Sequence, residues 1–165
     1  MGIIKVDIAD DHKVVLAGIV NLLNTFPNIT TNNLYENGMQ LLKGLAKSQP
    51  DVLLLDIQMP DVSGEELTPL IIKKYPNVSI LVMTGFDTTT HAKKLLNKGA
   101  LGYLLKNTNE NMLKEAIETV YRKQPFIDPI IKEKLAEETL LPQRMLREKP
   151  SLTRETIVTV PLSRY

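Results

Sequence analysis

Five polar positions stand where short apolar runs end: Asp10 and Asp11 after IIKVDIA, Asp56 after VLLL, Thr84 after VSILVM, and Lys106 after LGYLL. If those runs are strands of one parallel sheet, their carboxyl ends share a rim, and residues far apart in sequence become neighbours there. Three carboxylates, one hydroxyl and one ammonium would then meet. Two carboxylates about 4 Å apart repel by roughly 4 kcal/mol at an effective dielectric near 20, so three of them require protonation or a cation. Lys106 supplies one positive charge. A divalent ion bound by oxygen supplies the remainder, and Mg²⁺ fits because it takes one or two carboxylates, a carbonyl and waters while leaving room for phosphate oxygens. Such a rim suits phosphoryl transfer: a carboxylate is a competent covalent acceptor, and a metal, Lys106 and Thr84 can offset charge on the equatorial oxygens. Asp56, held at the end of a rigid apolar run, is the residue expected to become an aspartyl phosphate.

The elements that would position these residues alternate in type. Ile3 to Ala9 reads as a strand, and His12 to Phe26 as a helix with Val15, Ile19, Leu22, Leu23 and Phe26 inward. Ile29 to Tyr35 is a polar strand, followed by a short helix over Gly38 to Lys47. Val52 to Leu55 and Val78 to Met83 lack polar alternation, which marks strands covered on both faces. Pro69 argues that the third helix starts at Thr68 with the proline in its first turn, or kinks there, in preference to a start at Ser63 with a Ser63/Glu66 capping box. A fourth helix is expected over Asp87 to Asn97, ended by Gly99, and a fifth over Asn109 to Lys123 with Leu113, Ile117, Val120 and Tyr121 inward. Five strand–helix pairs predict an α/β fold, a doubly wound five-stranded parallel sheet with helices on both faces.

Bulk properties narrow the class. The 165 residues suffice for one ordinary domain and an appendage. Twenty basic residues against nineteen acidic ones, a net charge of +1, give no overall attraction to nucleic acid or anionic membrane. The absence of cysteine removes disulfides, thiolate metal sites and cysteine nucleophiles. Apolar runs are far short of a membrane span, and Lys5, Asp7, Asp10 and Asp11 interrupt any signal-peptide core. A cytoplasmic protein is expected.

The Asp10-Asp11 pair, the Leu-Asp-Ile-Gln-Met-Pro-Asp stretch around Asp56, Met83-Thr84-Gly85, and Gly99-Ala100-Leu101-Gly102-Tyr103-Leu104-Leu105-Lys106 together resemble the receiver domain of bacterial two-component response regulators. The Gly-Tyr-Leu-Leu-Lys form looks most like the subclass carrying a C-terminal LuxR-type helix-turn-helix output domain. The resemblance implies the flavodoxin-like strand order 2-1-3-4-5. It implies a signalling switch in which Asp56 takes phosphate from a sensor histidine kinase, and no turnover beyond the protein's own phosphorylation and dephosphorylation. Asp11, Asp56 and the Gln58 carbonyl would ligate Mg²⁺, with Asp10 acting through water. Asp56, Thr84 and Lys106 would carry the chemistry. Thr84 and Tyr103 would form the switch pair, Gln58 and Phe86 would tune phosphate lifetime, and the helix 4/strand 5/helix 5 face (88–123) would relay the change, with a homodimer among its outcomes. Asn107 replaces the proline that many receivers place after the lysine.

Residues 1–124 are expected to form the receiver, 125–150 a helical linker, and 151–165 a tail. Leu152-Thr153-Arg154-Glu155 is similar to the opening of a DNA-binding domain, but Pro161 intervenes and no recognition helix follows. DNA contact and transcriptional control are therefore expected only through an output domain outside this chain, and no membrane partner is expected.

Singly, each aspartate would ordinarily be a turn residue or helix cap, Thr84 a strand terminator and Lys106 a solvated cation. His12 and His91 have no partner at ligand spacing, so His12 reads as a helix-start residue and His91 as a surface one. The alternative function is a Mg²⁺-dependent phosphatase or dehalogenase using Asp56 as nucleophile. That chemistry wants an acid two residues on, where Gln58 stands.

Overall fold

The computed structural model describes residues 2–85 and 88–148, with side chains through 140. Six strands and six helices follow one another: β1 (Ile4–Ala9), α1 (Lys13–Asn24), β2 (Ile29–Tyr35), α2 (Gly38–Lys47), β3 (Val52–Asp56), α3 (Gly64–Lys74), β4 (Ser79–Thr84), α4 (Thr89–Asn97), β5 (Gly102–Leu105), α5 (Glu110–Tyr121), β6 (Phe126–Ile127) and α6 (Pro129–Glu148). Two compact units divide the chain, Met1–Ile131 and Lys132–Tyr165. The described part of the second is helical, and Thr139 Oγ1 donates to Leu135 O at 3.0 Å within it.

All strands of the first unit are parallel, in the order β2-β1-β3-β4-β5-β6. The expected five-stranded sheet is thus corrected to six strands, the expected order being extended at one edge. The sixth strand escapes a periodicity reading because it has only two residues. It exists because α5 ends in a Schellman motif: Lys123 N–H donates to Val120 O (3.0 Å) and Gln124 N–H to Thr119 O (3.1 Å), with Lys123 at φ 62°. A left-handed lysine costs about 1–2 kcal/mol. Its ammonium offsets this by donating to Asn77 O (2.5 Å) and Ser79 Oγ (2.8 Å), and the reversed chain then pairs with β5.

Strands β3, β4 and β5 are buried along their whole length because helices cover both faces. Alternate residues (Ile4, Val6, Ile8, Val52, Leu54, Leu81, Met83, Leu104) pack with Leu16, Ile19 and Leu23 of α1 and Leu113, Ala116, Ile117 and Val120 of α5. Residues of the other parity face the opposite side, where α2, α3 and α4 bury Leu41, Leu45, Leu67, Ile71 and Leu95. Edge strand β2 alternates burial with exposure, and its register against β1 slips between Val6 and Ile8. Buried Asp7 repairs that break: its carboxylate accepts from Asn33 N–H (2.9 Å) and the Tyr35 hydroxyl (3.4 Å). Burial pushes the Asp7 carboxyl up, and burial together with the Asp7 charge pushes the Tyr35 phenol up to about 12.

Helix α3 departs from the preferred expectation. It starts at Gly64, with the Ser63 hydroxyl accepting from Glu66 N–H at 3.1 Å, and Pro69 lies inside it. Pro69 has no N–H for the Glu65 carbonyl, and that carbonyl accepts instead from Lys98 Nζ of the α4 C-cap at 3.5 Å. The Glu65 carboxylate adds Lys98 (3.4 Å), Lys94 (3.7 Å) and His91 (3.7 Å). Burial alone would raise the Glu65 carboxyl; these cations hold it below the usual range. His91 therefore bridges to α3 and is not a free surface residue. Helix α4 begins at Thr89, two residues later than expected, Asp87 lying outside the described residues. It ends as expected at Gly99 (φ 108°), where a Cβ would meet Ile72 Cδ1 at 2.6 Å.

Candidate functional site

The carboxyl ends of β1, β3, β4 and β5 bring the expected residues to one rim. Asp10, one residue past β1, is 2% exposed, and Asp56, the last residue of β3, is 5% exposed. Lys106 follows β5, and its side chain is 17% exposed, so its ammonium reaches inward from the surface. Nζ lies 2.6 Å from Asp10 Oδ2 and 3.3 Å from Asp56 Oδ2. The Lys106 main chain is fixed beside Thr84, whose carbonyl accepts its N–H at 2.8 Å. Thr84 is buried at the end of β4, and the Lys106–Asn107 peptide is trans, like every other described peptide bond.

The two buried carboxylates are occupied differently. Asp10 is committed on both oxygens: Oδ2 to Lys106, and Oδ1 to the His12 N–H at 2.9 Å and His12 Nδ1 at 3.0 Å. Asp56 Oδ2 is buried and accepts no hydrogen bond among the described residues; Lys106 meets it only as an ion pair. Burial raises the Asp56 carboxyl above the usual range, the Asp10 charge adds to this, and Lys106 and the Gln58 N–H offset part of it. The site thus holds one carboxylate whose buried oxygen has the Lys106 ion pair but no hydrogen bond, which leaves part of its desolvation cost uncompensated.

Local structure keeps that oxygen in place. The chain leaves β3 through Ile57 and Met59, both buried, and Gln58, exposed. Gly64 N–H donates to Ile57 O at 2.7 Å, and a Cβ on Gly64 would stand 2.3 Å from Asp56 O, so glycine is what lets α3 start against the acceptor's own backbone. Asp61 pins the same loop to α2, accepting from Gly38 N–H (2.8 Å), Met39 N–H (2.9 Å) and Val62 N–H (2.8 Å). The Gly38 bond, then those of Met39 and Val62, holds its carboxyl below the usual range despite opposing desolvation. A negative charge at the α2 N-terminus also suits the helix dipole.

Ligand atoms of Asp10, Asp11, His12 and Asp56 lie within 4.8 Å of one another. Three carboxylates, one of them with a buried oxygen that accepts no hydrogen bond, fit a hard divalent cation, which prefers oxygen. His12 is the helix-start residue expected from the sequence, but its place at the acidic rim was not expected. It is the N-cap of α1, and its Nδ1 lies 3.0 Å from Asp10 Oδ1, 3.1 Å from Asp11 Oδ1 and 3.9 Å from Asp56 Oδ2. Its position directly after an acidic pair at a strand end was the available signal. Tyr103, the expected switch residue, is wholly buried within β5 opposite Val82. Phe86 and residues 149–165, with the expected tail, lie outside the described residues.

The family described as "Response regulator receiver domain" matches residues 6–118. The chain is 36% identical over 126 residues to the oxygen regulatory protein NreC of Staphylococcus carnosus, an overlap of 76% of this chain and 58% of that protein. It is 34% identical to the transcriptional regulatory protein DegU of Brevibacillus brevis, covering 82% of this chain and 57% of that one. The chain therefore spans somewhat more than half the length of these relatives. Among solved structures, a LuxR-family two-component response regulator from Aurantimonas superposes with TM-score 0.80 at 24% identity, covering 84% of this chain and 99% of that one, a likeness of fold. The isolated REC domain of RcsB from Salmonella enterica serovar Typhimurium, determined in the presence of the phosphomimetic BeF3-, gives TM-score 0.75 at 26% identity over 80% and 98% of the two chains. Among the described residues, no helix is long and apolar enough to cross a membrane.

Proposed function

The chain belongs to the response regulator receiver domain family, and from that premise we propose that Asp56 is the phosphoacceptor of a switch fed by a sensor histidine kinase. The observation that carries this reading is the buried Asp56 Oδ2, without a hydrogen bond and 3.3 Å from the Lys106 ammonium.

In the transfer, an Asp56 carboxylate oxygen attacks the phosphorus of a phosphohistidine. The P–N bond breaks, the imidazole leaves and takes up a proton, and a mixed anhydride forms on Asp56. Asp11, Asp56 and the Gln58 carbonyl would hold Mg²⁺, with Asp10 acting through water, and the ion would supply positive charge to offset that on the phosphoryl oxygens. Lys106, released in part from Asp56 as that carboxylate is phosphorylated, pairs with a phosphoryl oxygen. Thr84 donates its hydroxyl to another, and Tyr103 follows Thr84. The relay then runs through the face made by α4, β5 and α5, where a second copy or an output partner docks.

Beyond its own phosphorylation and dephosphorylation the chain turns nothing over. A Mg²⁺-dependent hydrolase reading lacks its second acid, because Gln58 stands in that place. The name of DegU, a transcriptional regulatory protein of which the chain covers 57%, supports control of transcription in a longer parent protein; DNA contact through an output domain and action in the cytoplasm belong to the same proposal. The test is incubation with acetyl phosphate, with and without Mg²⁺. Addition of one phosphoryl group in its presence and none after chelation is the expected result; no addition in either condition contradicts the proposal.

A further inference from the structure

The sixth strand ends in a side chain that does the work of a main-chain carbonyl. Asp128 N–H donates to Tyr103 O at 2.8 Å, which is the next rung of the parallel ladder after Tyr103 pairs with Ile127. In a regular ladder the carbonyl of residue 128 would then accept from Leu105 N–H. Here Pro129 begins α6, and the Asp128 carboxylate takes the carbonyl's place: Oδ2 accepts from Leu105 N–H at 3.1 Å. The other oxygen, Oδ1, accepts from Ile130 N–H at 3.0 Å and caps the first turn of α6. The group is 3% exposed, so water does not compete for these bonds.

Leu105 immediately precedes Lys106, and the two N–H groups point to opposite sides of the strand. Leu105 is held from the β6 edge by Asp128, and Lys106 from the β4 side by Thr84 O at 2.8 Å. We propose that Asp128 is a positioning residue for the phosphoacceptor site, clamping the Leu105–Lys106 end of β5 to the first turn of α6. The place of the Lys106 ammonium and the start of α6 are thereby held by one carboxylate, and a shift of either is felt by the other. The inference rests on the receiver reading of Asp56 and Lys106. A carboxylate is required because only two acceptor oxygens serve both N–H groups; an amide offers one acceptor and turns a donor toward the other.

The experiment uses the full chain with Asp128→Asn, nearly isosteric, and Asp128→Ser, which keeps a cap for Ile130 but does not span to Leu105. Ile71→Val, remote from the site, serves as the destabilised control. Amide exchange at Leu105 and Ile130 is measured alongside phosphoryl uptake over a range of acetyl phosphate concentrations. In Asp128→Ser we expect faster exchange at Leu105, retained protection at Ile130, and a maximal uptake rate about tenfold lower with half-saturation little changed, as for a misplaced ammonium. Ile71→Val should melt earlier yet take up phosphate at the wild-type rate. Unchanged Leu105 exchange, or uptake at the wild-type rate in both Asp128 variants, overturns the positioning role alone. A wild-type chain that takes up nothing removes the receiver reading and the positioning role together.

Discussion

Lys106 Nζ sits closer to Asp10 than to Asp56, 2.6 Å against 3.3 Å. The ammonium thus competes with any metal for the acidic rim while meeting Asp56 Oδ2 by charge alone, without a hydrogen bond. Removing it should therefore separate two quantities that would otherwise change together. In Lys106→Ala we expect Mg²⁺ to bind more tightly, because the carboxylates lose their internal cation, while phosphoryl uptake slows by about tenfold or more. Calorimetric Mg²⁺ titration and an uptake time course check the pair.

Gly64 meets Asp56 through backbone, so relief by side-chain motion is closed to it. A methyl placed 2.3 Å from Asp56 O must push α3 or the end of β3 aside. Gly64→Ala should cost about 1–3 kcal/mol by denaturant unfolding and lower phosphoryl uptake as well. Stability and uptake both at wild-type level would show that α3 is not held against the acceptor.

Burial raises the Asp7 carboxyl, so the folded state binds its proton more tightly than the unfolded chain, and charging it opposes folding as pH rises. Asp7→Asn keeps an acceptor for Asn33 and a donor for the Tyr35 oxygen. We expect the variant to melt above the wild type at neutral pH, the gain shrinking as pH falls through the raised folded-state value and gone once pH lies below the ordinary carboxylate range. Thermal melts across pH measure it.

Asp61 has the opposite sign. Its carboxyl is held low, first by the Gly38 bond, so its contribution is present above the unfolded-state value and lost as pH falls through the folded one. Asp61→Ala should melt below the wild type at neutral pH, and the two curves should converge in acid. A gap that persists at low pH would assign the loss to packing.

What the sequence displayed was whatever long runs and strand ends could carry. β3 and β4 announced themselves as unbroken apolar runs, and the residues ending them named the rim. The parts that stayed hidden depend on tertiary partners. Pro69 looked disqualifying inside α3 because the Lys98 bond to the Glu65 carbonyl comes from another helix. β6 is two residues long and owes its pairing to a left-handed lysine. His12 was legible as the start of α1, but its approach to Asp56 was not, because only folding brings the end of β3 beside it. Asp128 gave no signal beyond a break before proline, since its roles lie in the sheet edge and the first turn of α6.

The most direct measurement is the location of the phosphoryl group. Borohydride reduces an acyl phosphate to an alcohol, so an aspartyl phosphate formed with Mg²⁺ and acetyl phosphate is trapped as homoserine and found by peptide sequencing. We expect homoserine at position 56 alone, and none in Asp56→Asn. Homoserine at Asp10 or Asp11, or labelling undiminished in Asp56→Asn, would contradict the central claim.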